Sequence, residues 1–534
     1  MVDTVYKLPV AMKSPVLSLS ASPRLPGWWR SWAATRASDP VRGDAVRKRL
    51  GVAMHGGACA ALAGSLLLSG CAGGAPVPPE RGPGTLVTPA FRHASEASAA
   101  FDARWWEVFD DATLAALVSE AQHGNLDLRI AAERVQQARA GSTAAASRLA
   151  PGVSLNASAS DERSGLPQEV KRGQPDVRAL RAGLDLGWEV DLFGAARAAA
   201  DAAELDAQAA AEGAEGARLL AAGEAARLYL VWQGARARLE RLQALLQTQA
   251  ETERLTRSRA AEGVASRFDV ARAAAETQSL AAQLPPLRTL VATTGHQIAV
   301  LLGRNPGRPL ALLDGAGPPA LPAVPALAPG QPVQLLARRP DLRAAERQLA
   351  AEGARLREAR ADLLPKLFLG AVLGRQDLRI NGLDLAPVGL RSVALAFTAP
   401  LFNAGRLRAA QERASSRERA AALAYERAAL AALQEVESAL VALAQERERA
   451  ALLDALVRER RAALDHARAL RREGQIDLLQ LLDVQRGLIA AELAHVEHRT
   501  QLALDAVQLY RALGGAWQVA DPGTAAASSA TPSL

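Results

Sequence analysis

Apolar and polar residues alternate strictly in four segments of the chain, and this period of two is typical of β-strands with one apolar and one polar face. The alternation covers residues 153–160, 180–191, 367–373 and 393–397. In the first segment, Val153 and Leu155 flank the polar Ser154. The pattern predicts two β-hairpins. Strands of this kind suit the core of a soluble sandwich and the wall of a membrane barrel equally well.

Long helices are predicted after each hairpin. No proline occurs between Pro175 and Pro285 or between Pro400 and Pro522. A helix over residues 195–261 would form a rod of roughly 100 Å at 1.5 Å per residue. Rods of this length cannot be buried in one globule, so we expect them to pack side by side as a coiled coil or an α-barrel.

Shorter helical stretches are predicted before each hairpin. They cover residues 114–149 and 332–364, with expected breaks near Asn125 and Pro340 and ends at Pro151 and Pro365. The chain therefore alternates helices, a hairpin and a long helical hairpin.

The second half of the chain repeats the landmarks of the first, roughly 210 residues later. Asp127-Leu128-Arg129 recurs as Asp341-Leu342-Arg343, residues 192–197 recur as residues 401–406, and Glu262-Gly263 recurs as Glu473-Gly474. The repetition predicts two structural repeats, residues 105–304 and 332–517. A proline-rich linker, residues 305–331, is expected to be extended, and residues 518–534 are expected to form a disordered tail.

Residues 47–71 have the features of an export signal, whereas residues 1–46 show no clear signal pattern. Arg47-Lys48-Arg49 precede an apolar run that is far shorter than the ~20 residues of a spanning helix. Leu68-Ser69-Gly70-Cys71 resembles the bacterial lipobox, in which the cysteine carries the lipid; the alternative is a buried cysteine beside a chance apolar run. We expect residues 1–70 to be a leader and lipoprotein signal peptide, Cys71 to be lipidated, and residues 71–104 to be a flexible tether.

Composition and charge narrow the class of protein. The 534 residues are 49% hydrophobic but only 4% aromatic, which with so many alanines favours closely packed helices over a bulky core. The net charge of +7 is concentrated in the leader, whose nine Lys or Arg and three Asp leave only +1 for residues 71–534. The basic balance therefore does not indicate a nucleic-acid partner.

The strand count predicts an oligomer. Four strands cannot close a membrane barrel, because about eight is the smallest number known and open edges are not tolerated in lipid. Three chains would supply twelve strands around a pore lined by polar side chains: Ser154, Asn156, Ser158, Asp185 and Glu189. A lipid-anchored, non-conducting coiled-coil spacer with a soluble cap would explain the rods but not the repeated two-faced hairpins.

Several motifs together resemble the TolC-like outer membrane efflux proteins, in the lipoprotein branch that serves resistance-nodulation-division pumps. They are Trp105-Trp106 and the segments at residues 188–194, 301–307, 338–346, 400–405 and 509–517. The resemblance implies a mainly α fold with four β-strands per chain, completing a twelve-stranded transmembrane β-barrel and a long α-helical barrel in a homotrimer. It also implies a periplasmic adaptor and an inner-membrane transporter as partners, with outer membrane lipid around the barrel.

The same resemblance points to the helix turns as functional sites. It implies that two turns dock the adaptor: Gly263, Val264, Ala265 and Ser266, and Gly474, Gln475, Ile476 and Asp477. Gln475 stands where the family usually has an apolar residue. Leu479 and Asp483, which are one helical turn apart, resemble the family's periplasmic gate of an apolar ring and a carboxylate ring. The alternative for Asp483 is an ordinary solvated carboxylate.

The residue inventory does not favour an enzyme. Among the histidines only His495 and His498 lie close together in sequence, and no third metal ligand is evident near them. No phosphate-binding glycine loop and no nucleic-acid motif is present, so we expect no metal, no cofactor beyond the lipid on Cys71, and no nucleic acid. The predicted function is a passive outer membrane duct of a tripartite efflux pump, with a duct for type I protein secretion as the alternative in the same fold.

Overall fold

The computed structural model describes residues 90–93, 104–163, 165–167, 175–324 and 332–515. The predicted leader, Cys71, most of the predicted tether and the predicted tail lie outside these residues. Within them, no helix combines the length and the apolar character needed to cross a membrane.

The first repeat contains five principal helices and two strands. After a short 3-10 helix at Trp105–Phe109 come α1 (Ala112–Gly124), α2 (Leu126–Ala146), β1 (Gly152–Glu162), β2 (Val177–Val190), α3 (Ala195–Ala261), α4 (Arg267–Ala281) and α5 (Leu284–Leu301). The predicted helix over residues 195–261 is confirmed at both ends.

The second repeat follows the same order. It contains α6 (Pro332–Arg338), α7 (Pro340–Ala361), β3 (Lys366–Ile380), β4 (Val388–Thr398), α8 (Arg406–Arg472) and α9 (Leu478–Ala512), with a two-residue strand, Leu383–Asp384, beside β3. Both α3 and α8 are 67 residues long. The predicted mainly α fold of two structural repeats is confirmed.

The two repeats differ in the helix that returns from the long rod. In the second repeat α9 is continuous over 35 residues. In the first repeat the return breaks between Ala281 and Leu284, directly before Pro285 and Pro286. Because proline lacks the backbone N–H that an interior helical turn needs, these prolines begin a new helix, α5.

The predicted breaks near Asn125 and Pro340 are both present. Asn125 ends α1 and caps α2, since its side-chain oxygen accepts a hydrogen bond from the Leu128 N–H at 3.1 Å. Its amide nitrogen also donates to the Leu301 carbonyl at 2.8 Å. One residue therefore ends α1, caps the start of α2 and holds this junction against the end of α5.

The four long strands form one antiparallel sheet in the order β1-β2-β3-β4. The two predicted hairpins pair with each other through β2 and β3, so a single sheet joins the repeats. Strands β1 and β4 lie at its two edges. This arrangement leaves two rows of backbone hydrogen-bonding groups without a partner strand among the described residues.

Below the sheet, α3 packs along α7 and α2, and α8 packs along α9. Alanines occupy much of the buried surface of both long rods, which permits close helix approach. The main core instead gathers aromatic residues, and Trp105 stacks on Tyr510 with ring centroids 5.0 Å apart. This core fixes the start of the first repeat against the end of the second.

Two segments expected to be extended or flexible contact this core. In the predicted linker, a short helix at Ala311–Asp314 forms and the side chains of Leu310 and Leu313 are buried. In the predicted tether, Phe91 is 5% exposed and the Arg92 N–H donates to Glu437 at 2.8 Å. Apolar side chains among the prolines and alanines hold both segments in place.

Candidate functional site

The sheet has one apolar and one polar face, and the strand register aligns these faces across all four strands. Leu155 lies opposite Leu184, and Leu184 lies opposite Leu373. Ser154 lies opposite Asp185 on the other face. Because side chains alternate along a strand, one set of registers decides both faces at once.

The apolar face is open. The exposed fractions of Leu155, Val393 and Phe397 are 74%, 79% and 67%. No helix among the described residues covers these side chains. A single copy of the chain therefore leaves a continuous apolar surface that water would solvate poorly.

The polar face carries the five residues that the sequence predicts to line a pore. Asn156 donates hydrogen bonds to Asp185 and, at 3.3 Å, to Ser154. Near the helix end of the sheet, Lys366 Nζ lies 3.0 Å from both Glu189 and Asp362. Charges on this face are therefore partly paired within the chain.

Two glycines face each other where the backbones of β2 and β3 lie close together. Gly183 lies opposite Gly374. A Cβ added at Gly374 would lie 2.7 Å from the Ala182 carbonyl oxygen and 2.8 Å from the Gly183 Cα. The close approach of the two backbones requires glycine at this point.

The two predicted docking turns have the same conformation. The turn from α3 to α4 contains Gly263 at φ 79°, and the turn from α8 to α9 contains Gly474 at φ 78°. The residue after each glycine donates its N–H to the carbonyl oxygen five residues earlier. Val264 donates at 2.8 Å and Gln475 donates at 2.9 Å. Both long helices therefore end in the same glycine-dependent cap.

The helices that leave these turns begin with a capping box. Ser266 Oγ accepts from the Asp269 N–H at 3.1 Å, and Asp269 accepts from the Ser266 N–H at 3.0 Å. Asp477 and Gln480 form the second box. Hydrogen bonds from the Ser266 hydroxyl and N–H, with a smaller contribution from the charge of Arg471, lower the pKa of Asp269. Arg471 also donates to the Ile476 carbonyl at 2.9 Å, a hydrogen bond within the second turn.

The turns present apolar side chains at their surface. Val264 is 75% exposed and Phe268 is 69% exposed. At the position of the second turn that corresponds to Val264, the exposed residue is Gln475, which donates to Glu473 at 3.0 Å. The first turn is therefore the more apolar of the two.

The predicted gate residues lie in the first two turns of α9. Leu479 is 39% exposed, and the side chain of Asp483 is 72% exposed. Asp483 forms an ion pair with Arg486, three residues further along the helix, at 2.7 Å. Sequence reasoning overlooked Arg486, although its i,i+3 spacing was a signal for the pair.

A buried arginine was also overlooked as a structural residue. Arg339 is 8% exposed and donates to Asp341 at 2.8 Å, to Glu435 at 2.7 Å and to the Ala512 carbonyl at 2.9 Å. Burial would lower its pKa, but the hydrogen bonds with Asp341 and Glu435 raise it above the usual range. Arg339 thus joins the start of α7 to α8 and to the end of α9.

The neighbouring histidines of α9 contact carboxylates of α8. His498 Nδ1 lies 2.5 Å from Glu446, and His495 Nε2 lies 2.8 Å from Asp454. The described part of the chain contains no group of three or more His, Cys, Asp or Glu side chains that could hold a metal ion.

The sequence model of the outer membrane efflux protein family matches the chain twice, at residues 117–304 and 332–515. Pyoverdine export outer membrane protein OpmQ of Pseudomonas putida is 32% identical over 470 residues, covering 86% of this chain and 97% of the relative. Outer membrane protein OprJ of Pseudomonas aeruginosa is 31% identical over 438 residues, covering 79% and 88%.

Solved structures show the same fold. The outer-membrane channel OprN is 33% identical with a TM-score of 0.75, covering 83% of this chain and 99% of that one. The Neisseria gonorrhoeae MtrE outer membrane channel is 27% identical with a TM-score of 0.72, covering 82% and 97%. The doubled helix-and-hairpin architecture, the two matches of the family model and these relatives agree, and the chain belongs to the outer membrane efflux protein family.

Proposed function

We propose that this chain is the outer membrane channel of a tripartite efflux pump. In this proposal it forms a homotrimeric, passive duct that receives substrates from a periplasmic adaptor and an inner-membrane resistance-nodulation-division transporter and releases them outside the cell. One observation carries the proposal: a sheet with two unpaired edges has one exposed apolar face and one polar face, and stands at the end of two helical rods of 67 residues each.

The unpaired edges support a barrel shared between chains. Every backbone N–H and C=O group in a bilayer needs a partner, so β1 and β4 cannot remain open in lipid. Pairing β4 of one copy with β1 of the next removes both edges. Three copies then close a barrel of twelve strands, within the range of known outer membrane barrels.

The two faces of the sheet support an aqueous pore. Val393, Leu155 and the other exposed apolar residues would face the lipid, which removes them from water. The opposite face, with Asn156 and Asp185, would line the lumen. The alternation places apolar side chains on one face, which water solvates poorly, and polar side chains on the other face, which can contact water and polar solutes.

The long helices support a continuation of the duct into the periplasm. Each 67-residue rod has a length of roughly 100 Å. Both rods end in a turn at the end of the chain's helical part that is far from the sheet. Each chain supplies the two rods and their two returning segments, α4–α5 and α9, so three copies would place twelve helical segments around one axis as an α-barrel below the β-barrel.

The turns support docking of an adaptor. Val264 and Phe268 are exposed apolar side chains on a rigid, capped turn. Such side chains, held by a capping box, can enter a partner at small conformational cost. We assign Gly263–Ser266 and Gly474–Asp477 as the docking turns, with the first contributing more apolar contact.

The start of α9 supports a gate close to these turns. In a trimer, three copies of Asp483 would form a ring of carboxylates, with a ring of Leu479 one helical turn away. Like charges in a ring repel each other, so other contacts must hold a closed state. The ion pair with Arg486 reduces that repulsion.

The lipid anchor belongs to the same proposal. A lipid on Cys71 would hold the start of the mature chain at the membrane. The tether would then reach residues 90–93, where Phe91 and the hydrogen bond to Glu437 fix it against α8. Conduction through such a duct needs no catalytic group, and we propose none.

The proposal is tested by deleting the gene and restoring it with variants. Deletion is expected to raise susceptibility to exported compounds, and the intact chain is expected to restore resistance. The purified protein should conduct ions in planar bilayers as a trimer. Absence of single-channel conductance from a correctly assembled trimer would overturn the proposal.

A docking variant separates binding of the adaptor from conduction through the channel. Val264→Asp with Phe268→Asp places charges on the exposed turn without a packing change in the core. We expect this double variant to conduct normally but to fail to restore resistance. Full restoration of resistance would contradict the assignment of the docking turn.

A further inference from the structure

The apolar face of the sheet changes character toward the hairpin ends. On this face, the first charged residue met along each strand, going away from the helices, is Asp161 on β1, Arg178 on β2, Arg375 on β3 and Arg391 on β4. Arg379 follows on the same face of β3. We call Arg178, Arg375, Arg379 and Arg391 the arginine rim.

The boundary between apolar and charged residues crosses the strands obliquely. Arg391 lies opposite Leu373, which is two residues nearer to the helices than Arg375. Arg375 lies opposite Ala182, which is four residues nearer to the helices than Arg178. Arg178 lies opposite Asp161. From β4 to β1 the boundary therefore shifts along the strands. With about 3.3 Å per residue and about 4.8 Å between strands, this shift tilts the boundary by roughly 50° from the perpendicular to the strands. Strands in closed barrels tilt by a similar amount, about 35–45°, so the boundary follows a plane across the barrel axis.

We propose that the arginine rim binds the phosphate groups of anionic lipids in the membrane leaflet at the hairpin end of the barrel. The inference rests on the proposed trimeric barrel. A guanidinium in hydrocarbon is costly, so the rim must lie at the level of the lipid headgroups. Long arginine side chains extend their charge toward that level and bind phosphate with two parallel hydrogen bonds.

Arg375 and Arg391 are the rim arginines most available to a ligand, whereas Arg379 pairs with Asp384 at 3.2 Å. The side chain of Arg375 is 71% exposed, and its nearest carboxylate, Asp377, is 3.8 Å away. Arg391 is exposed and has no carboxylate partner among the described residues. Arg178 shares Asp161 with Arg163. The carboxylates of this region therefore leave arginine hydrogen-bond donors for lipid phosphates.

The location of the rim favours lipid over a soluble anion or a protein. The rim continues the same face as Leu155 and Val393, the face proposed to contact acyl chains. A lipid with an anionic headgroup fits both parts of this surface at once, whereas free phosphate fits only the arginines. The polar face offers a matched comparison, because Arg181 lies on β2 but points to the opposite side of the sheet.

The test counts lipids retained by the purified full-length trimer in nanodiscs of phosphatidylcholine containing diphosphoryl lipid A. We expect native mass spectrometry to show lipid A enriched on the wild-type trimer. The double variant Arg375→Ser, Arg391→Ser should retain it at a level lower by about fivefold or more. Arg181→Ser should retain the wild-type amount, and inorganic phosphate should not displace the lipid.

The outcomes separate the rim from the barrel. Conductance of the double variant at the wild-type level, together with loss of lipid A, supports the rim as a lipid site on an intact channel. Equal retention by the double variant and Arg181→Ser would overturn the inference while leaving the channel proposal in place. If the double variant does not assemble, the lipids retained by the wild-type trimer are the test. The lipid site is overturned if the wild-type trimer shows no preference for lipid A over phosphatidylcholine, or if inorganic phosphate displaces lipid A.

Discussion

The Oδ1 atom of Asp483 lies 2.7 Å from an Nη atom of Arg486 in the second turn of α9. The two side chains are 72% and 47% exposed, so the pair contributes little to stability, about 0–1 kcal/mol. Its importance is electrostatic. A ring of three such carboxylates, each beside a guanidinium, has a smaller field than a ring of free carboxylates.

Removing the guanidinium should therefore increase selectivity for cations. For Arg486→Gln we expect the reversal potential in a salt gradient to shift toward that of a cation-selective pore. Arg468→Gln is the matched control, because Arg468 pairs with Asp465 at the same spacing on α8, at 3.7 Å. Equal shifts in both variants, or no shift in either, would contradict a ring of Asp483 in the pore.

Removing both predicted gate side chains should widen the narrowest point. For Leu479→Ala with Asp483→Ala we expect a larger single-channel conductance or a longer open time in planar bilayers, because an apolar and a charged ring are lost together. Val264→Ala, on the neighbouring turn, serves as the control. Unchanged conductance would reject the gate and leave Asp483 as a solvated surface carboxylate.

Arg339 should be important for stability. Arg339→Met removes the donor to the buried Ala512 carbonyl and three hydrogen bonds to the carboxylates of Asp341 and Glu435, so we expect a loss of about 2 kcal/mol in the free energy of unfolding. Arg357→Met on the same helix removes a more exposed pair with Asp201 and should cost about 0.5 kcal/mol or less. Thermal unfolding followed by circular dichroism would measure both, and equal effects would refute the special role of Arg339.

The glycine contact between β2 and β3 should control barrel assembly. Gly374→Ala places a Cβ against the Ala182 carbonyl and the Gly183 Cα, so the strands must separate. We expect a clear fall in the yield of heat-stable trimer on unheated electrophoresis gels. Gly187→Ala adds a Cβ with no heavy atom within 4 Å on the neighbouring strands and should assemble normally. A normal yield for Gly374→Ala would show that the sheet adapts locally.

Alkaline pH should weaken the helical core through Tyr229. Burial, with a hydrogen bond to Asp111 at 2.7 Å, raises the pKa of Tyr229 from its ordinary value of 10.0 to about 12. The unfolded chain therefore releases this proton at lower pH than the folded chain does. The stability linked to the protonated phenol is complete below pH 10 and is lost as the pH rises toward 12.

The variant Tyr229→Phe isolates this contribution. It should cost about 1 kcal/mol or more at neutral pH, from the lost hydrogen bonds to Asp111 and from Gln233, and should show a smaller decline in unfolding midpoint between pH 10 and 12 than the wild type. Parallel curves for the two proteins across this range would assign the alkaline sensitivity to other groups.

The elements of this protein could be predicted because their causes are local. Alternation at residues 153–160 requires a strand whatever its partners are, and the absence of proline from residue 195 to 261 permits one uninterrupted helix. Gly263 and Gly474 mark both turns, since the end of each rod requires a positive φ. Repetition of the same local signals also showed that the two halves share one architecture.

Tertiary structure decided the contacts between distant elements. Nothing near Arg339 in sequence indicates Glu435, because the ion pair depends on which face of α8 lies against α7. The packing of Phe91 and of Leu313 on the core likewise depends on a surface that exists only after the rods associate.

The order of the strands could not be predicted from local sequence patterns either. Alternation assigns each residue to one of two faces, but only the pairing of β2 with β3 places Leu184 beside Leu373 and Gly183 against Gly374. That register aligns the apolar residues of four strands into one surface, which is bounded obliquely by charged residues. By itself, the sequence determined the rods, the strands and their faces, since these depend on neighbours a few residues away. The fold decided how those faces meet, because contacts across the molecule depend on the packing of complete elements.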